Sequence, residues 1–137
     1  MVDDDRASLR LRRLEELVDN LEGIREKGEK TYLSDPGLRA MAERWLELSI
    51  QICIDLGTQV VAERPGPTPS GYAGVFETLG DEGLIEKDLA ARLAEAAKQR
   101  NLLVHLYLDI DDRKVFESIS HLDDLRQFAA FVENQLD

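Results

Sequence analysis

A chain of 137 residues that is 43% hydrophobic and 33% charged can bury a core of its own and is too apolar for a disordered segment. Its formal net charge of −11 excludes a general grip on nucleic acid, which needs a basic footprint, so any RNA contact must use a local cationic cleft. The single cysteine, Cys53, rules out an intrachain disulfide and reads as a small buried hydrophobe in a reducing compartment.

The start, MVDDDRASLR, is acidic where a secretory leader would be basic, and no apolar run reaches membrane-spanning length. The expectation is a cytoplasmic protein that makes no use of a membrane. Helical periodicity dominates from there on. A first helix is expected from about Asp5 to Lys30, with Leu14, Leu17, Leu21 and Ile24 as its inner stripe. Arg12, Arg13, Glu15, Glu16, Arg25 and Glu26 form its solvated faces, and the polar stretch GEKTYLSDPG closes it. The second helix begins at Asp35 as cap and Pro36 as first helical residue. It runs to about Glu63 with Leu38, Met41, Trp45, Leu48, Ile52 and Leu56 inward. The density of apolar residues along it marks it as the central helix.

Pro65, Pro67 and Pro69 forbid helix and pre-extend the chain. The segment RPGPTPSGY is expected to be an ordered connection, because too little sequence flanks it for two cores. A short helix, about Tyr72 to Leu79, is broken by Gly80 and Gly83. A fourth helix runs from Lys87 to Leu108. A fifth starts at the acidic cluster Asp109, Asp111 and Asp112, where carboxylates suit a helix start, and continues through Val115, Ile119, Leu122, Leu125, Ala129, Val132 and Leu136. The expected architecture is all-α: one domain over residues 1–137, an antiparallel bundle of four long helices and one short helix.

The stretch RNLLVHLY, Arg100 to Tyr107, sets four polar groups into the apolar fourth helix. At about 100° per residue, Leu102, Leu103 and Leu106 share one side and are expected to face the core. Arg100 and Tyr107 share another side, flanked by the neighbours Asn101 and His105. Upstream, Ala90, Ala94 and Ala97 continue that polar side as a smooth track, which suggests an outward face that meets a partner.

Metal-free RNA cleavage needs a base for the 2′-hydroxyl proton, an acid for the leaving oxygen and a cation against the charge that builds on phosphorus. A histidine such as His105 suits the proton steps. Arg100 offers a fork that matches phosphate oxygens, and Asn101 can orient the histidine or hold substrate. One chain supplies one suitable histidine, so a twofold dimer through this helix would complete the pair. The same residues also fit a structural role, as a solvated histidine and an arginine paired to a carboxylate. His121 and Tyr32 have no comparable neighbours and read as surface or packing residues.

Arg100, Asn101, His105 and Tyr107 spell R-N-x-x-x-H-x-Y, which resembles the signature of the HEPN superfamily in its branch of HepT-like toxins. The resemblance extends to Glu43–Arg44, to IDLGTQV (Ile54 to Val60), to PSGYAGVFETLGDEGLI (Pro69 to Ile85) and to DIDDRKVFESI (Asp109 to Ile119). It implies an all-α homodimer with a shared cleft, acting as a metal-independent endoribonuclease that needs no cofactor. Arg100, Asn101 and His105 would be catalytic. It further implies a partner antitoxin, an MntA-like nucleotidyltransferase that transfers AMP to Tyr107. A different class of function fits the acidic charge better: a non-catalytic binding module that docks on the nucleotidyltransferase. The motif also admits a plain helical dimerisation domain.

Overall fold

The computed structural model describes residues 4–105 and 108–136. Among them the chain forms seven helices and no strand: α1 (Asp4–Glu26), α2 (Glu29–Ser34), α3 (Pro36–Ala62), α4 (Gly71–Asp81), α5 (Lys87–His105), α6 (Asp112–Ile119) and α7 (Leu122–Glu133). The expected all-α class holds. Two of the expected helices are each divided in two.

The first division follows Glu26. Gly28 takes a φ of +90°, a conformation that favours glycine, and the chain turns there before GEKTYLSDPG completes a short helix. That helix drives Tyr32 inward to 0% exposure, with its ring 5.3 Å from that of Phe116. Tyr32 is therefore a core residue. The rest of α1 follows expectation: Leu14, Leu17, Leu21 and Ile24 are buried, while Arg12, Arg13, Glu15 and Glu16 are exposed.

The second division falls at Ser120 and His121, between α6 and α7. The expected stripe crosses it because the spacing of Ile119, Leu122 and Leu125 survives a single tight turn. Val115, Ile119, Leu122, Leu125 and Val132 are all buried, joined by Phe128 at 0% exposure. Phe128 meets Phe76 edge-on at 5.3 Å, a favoured aromatic geometry.

α3 starts as its sequence dictates. The Asp35 carboxylate accepts from the N–H groups of Gly37 and Leu38 at 3.0 and 3.2 Å, and Pro36 fills the first helical position. Its buried stripe, however, differs from the expected one. Leu38, Ala42, Leu46, Ile50, Cys53, Leu56 and Val60 face inward, whereas Met41 is 41% exposed and Trp45, Leu48 and Ile52 are only half-buried. Both registers have helical spacing. The inward one holds the small residues Ala42 and Gly57, which let neighbouring helices approach closely. At Gly57 an added Cβ would lie 2.8 Å from Val75 and 3.4 Å from Phe128, so α3, α4 and α7 converge there. Among the described residues no helix is long and apolar enough to cross a membrane.

Candidate active site at the end of α5

α4 and α5 form a hairpin. The turn between them is tied by Leu84 N–H donating to the Leu79 carbonyl at 2.9 Å, with Gly83 at a φ of +73°. From there α4 runs back along α5. Gly80 lies so close to Ala90 that a Cβ on the glycine would sit 2.6 Å from the alanine Cβ. At the other end, Tyr72 reaches Arg100.

This contact reverses one expectation. Ala90, Ala94 and Ala97 are buried at 4%, 4% and 1% exposure, so the alanine track is covered by the chain's own helices and presents nothing to a partner. Its smoothness serves close packing inside the molecule. Leu102 departs as well: it is 53% exposed and lines a groove of about 600 Å³ together with Leu46, Ile50, Gln99, Ser118 and Leu125. Leu103 is half-buried. The inward side of α5 is thus the alanine side. Leu106 and Tyr107 lie outside the described residues.

α5 is 19 residues long and α4 only 11, so the cover ends before the helix does. The side of α5 that is buried at Ala94 and Ala97 emerges one turn later carrying Asn101 and His105, both exposed. Arg100 is half-buried beside them. Its Nη1 donates to Asn101 Oδ1 at 3.2 Å, and its guanidinium lies over the Tyr72 ring, 5.5 Å from the centroid. The Nε is shut from solvent and has no acceptor among the described residues. The structure therefore brings Arg100 and Asn101 into contact and sets His105 one turn further on the same open side. Helical spacing alone relates Asn101 and His105, whereas Tyr72 joins Arg100 from a different helix.

Two residues of the acidic cluster that follows, Asp111 and Asp112, are occupied elsewhere. Asp111 caps α6, accepting from Arg113 and Lys114 N–H at 3.1 and 3.3 Å. Asp112 pairs with Arg39 at 3.4 Å. That pair belongs to a knot that fastens α6 to α2 and α3. In it the Glu43 carboxyl is pushed up by burial and by Asp112, against the opposing pull of Arg39. Burial, then Glu43 and Asp112, likewise raise Tyr32. Burial alone pushes the Cys53 thiol up to about 12, which leaves it an inert core residue.

The family model of HepT-like ribonucleases matches residues 11–133. The chain belongs to the HepT-like ribonuclease family. Membership places it among the endoribonucleases. It is similar to the tRNA nuclease HepT of Aphanizomenon flos-aquae, with 30% identity over 124 residues, 90% of this chain and 82% of the relative. Its fold matches the tri-AMPylated HEPN toxin of Shewanella oneidensis in complex with its MNT antitoxin, at a TM-score of 0.87 and 20% identity, covering 96% and 99% of the two chains. It also matches YutE, a cytosolic protein of unknown function from Bacillus subtilis, at a TM-score of 0.83 and 20% identity over 98% and 91%. In this chain Arg100, Asn101 and His105 sit where α5 leaves the cover of α4.

Proposed function

We propose that this HepT-like protein is the toxin of a toxin–antitoxin system: a cytoplasmic, metal-independent endoribonuclease. Its composite site forms where two copies of its single domain meet through the open end of α5. The observation that carries the reading is the emergence of Asn101 and His105 on one uncovered side of that helix, with the half-buried Arg100 in contact with Asn101. In the dimer, one His105 takes the proton of an RNA 2′-hydroxyl as its oxygen attacks the adjacent phosphorus. The second His105 gives a proton to the 5′ oxygen as its bond to phosphorus breaks. The products are a 2′,3′-cyclic phosphate and a 5′-hydroxyl. Arg100 opposes the charge on the phosphoryl oxygens, and Asn101 holds Arg100 from the side. No metal or cofactor enters.

The antitoxin in this reading is an MntA-like nucleotidyltransferase that modifies Tyr107. The tyrosine oxygen attacks the α-phosphate of ATP, the bond to the β-phosphate breaks, pyrophosphate leaves and the hydroxyl proton passes to solvent. Seven residues on from Arg100, Tyr107 shares its side of an ideal helix. Phosphates added there would occupy the cationic group and close the site. The AMPylated state of the Shewanella oneidensis neighbour supports this assignment, and the tRNA nuclease relative makes tRNA the first substrate to try.

The test is cleavage of tRNA by purified protein in EDTA. His105→Ala should lower the rate by about a hundredfold or more with the fold intact; unchanged cleavage by that variant would overturn the reading. The −11 net charge favours a second reading, a binding module without nuclease activity that docks on the transferase. Addition of AMP to Tyr107, seen by mass spectrometry in a protein that never cleaves RNA, would select it.

A further inference from the structure

We infer that Tyr72 is a positioning residue of the ribonuclease site, holding the Arg100 guanidinium ready for phosphate; this rests on the function proposed above. Three observations meet at this residue. The first is placement. Val75, Phe76 and Leu79 carry the packing of α4 and are buried. Tyr72, at the start of that helix, is 45% exposed and adds little to the core. It is nonetheless the part of α4 that reaches the motif.

The second observation concerns what holds Arg100. In a chain with 28 acidic residues and a net charge of −11, most arginines find carboxylates. Arg13, Arg25, Arg39, Arg44, Arg64 and Arg92 each pair with one. Among the described residues Arg100 has none. A neutral amide, Asn101, and an aromatic ring hold it instead.

The third is the chemistry of that choice. A carboxylate would cancel the charge and use the in-plane N–H donors, which are the groups that recognise a phosphate. A ring engages the cation through its quadrupole, fixing its position without consuming its charge. A guanidinium held in this way remains fully cationic, with donors left for two phosphoryl oxygens. The segment PSGY, an ordered entry into α4 after the prolines, delivers the ring to that place.

The experiment measures kcat and KM for tRNA cleavage by wild type, Tyr72→Phe, Tyr72→Leu and Tyr72→Gln, with His105→Ala as control. Loss of the ring should lower kcat about threefold to tenfold, the scale of one partly exposed cation–ring contact, with KM and the melting temperature little changed. Tyr72→Phe should restore the wild-type kcat. A wild-type kcat in both ring-free variants, with His105→Ala inactive, would overturn the role of Tyr72 alone. Failure of Tyr72→Phe to rescue would do the same, because the hydroxyl and not the ring would then be at work. Activity retained by His105→Ala would instead strike the underlying ribonuclease assignment. A second readout does not depend on turnover: the Arg100 Nε–H resonance in a ¹H–¹⁵N spectrum should shift when the ring is removed and hold its place in Tyr72→Phe. An unmoved resonance in Tyr72→Leu would overturn the proposal.

Discussion

The two halves of α5 differ less in sequence than in what covers them. Ala90, Leu93, Ala94 and Ala97 in the first half are buried beneath α4 and the central helix. On the same side of the second half, Asn101 and His105 stand in solvent. The helix does not rotate between them; the shorter α4 runs out. A stripe of small residues continued by polar ones is thus one face seen in two environments. The candidate site begins where packing ends, which gives its residues a rigid base without requiring them to stabilise the fold.

That comparison can be broken by truncating one leucine in each half. Leu93 is 1% exposed and Leu102 53%. Leu93→Ala should cost about 3 kcal/mol through lost burial and the cavity left behind. Leu102→Ala should cost under about 0.5 kcal/mol. Denaturant titration of both variants decides it; equal losses would mean that the second half is packed as firmly as the first.

A finer cut is at the place where α4 presses on α5. Gly80→Ala brings its Cβ to 2.6 Å from that of Ala90, and neither atom is the end of a flexible chain. The overlap should cost about 2 kcal/mol, offset by about 1 kcal/mol of helix propensity gained. In an Ala90→Gly background the overlap vanishes and the same substitution should become stabilising. The sign reversal in a double-mutant cycle by thermal melting is the expected result. A loss of equal size in both backgrounds would mean that the close approach is not what makes Gly80 necessary.

These contacts also mark how far the sequence could be read. The caps of α3 and the alternation of charge on α1 were legible because they are local. Asp35–Pro36 acts within one turn, and the stripe of Leu14, Leu17, Leu21 and Ile24 needs only a core on one side. Which side of α5 faces inward was not legible, since leucines and alanines offer two apolar faces and only the partner helix chooses. Gly80 opposite Ala90 made that choice. The same ambiguity displaced the stripe of α3 from Met41 and Trp45 to Ala42 and Leu46. Tyr32 was hidden because six residues carry too little periodicity to declare a helix, and its partner Phe116 is remote in sequence. For the site, Arg100, Asn101 and His105 could be grouped from spacing, but Tyr72 could not, because its contact with Arg100 exists only once the hairpin has folded.

The smallest expected effect lies beyond the uncovered half, where α6 picks up the chain. Arg39, Glu43, Tyr32 and Asp112 fasten it there, and Glu43 is the misfit. Burial and the Asp112 charge raise its carboxyl above the ordinary value of 4.5. A carboxyl raised in the folded state binds its proton more tightly there than in the unfolded chain. Its contribution to stability is therefore present in full below about 4.5 and is lost as pH rises through the higher folded value. At neutral pH the charged Glu43 works against the knot. Glu43→Gln keeps the shape and removes the charge, so it should raise stability at pH 7 by a few tenths of a kcal/mol, or about 1 °C, the group being partly exposed and screened. The advantage should shrink towards zero as pH falls below 4.5. Melting curves of wild type and variant across pH 4 to 7 test this. A variant less stable than wild type at pH 7 would show that Arg39 outweighs burial and Asp112 at this position, and that the knot beyond α5 is held by the ion pair and not in spite of an excess carboxylate.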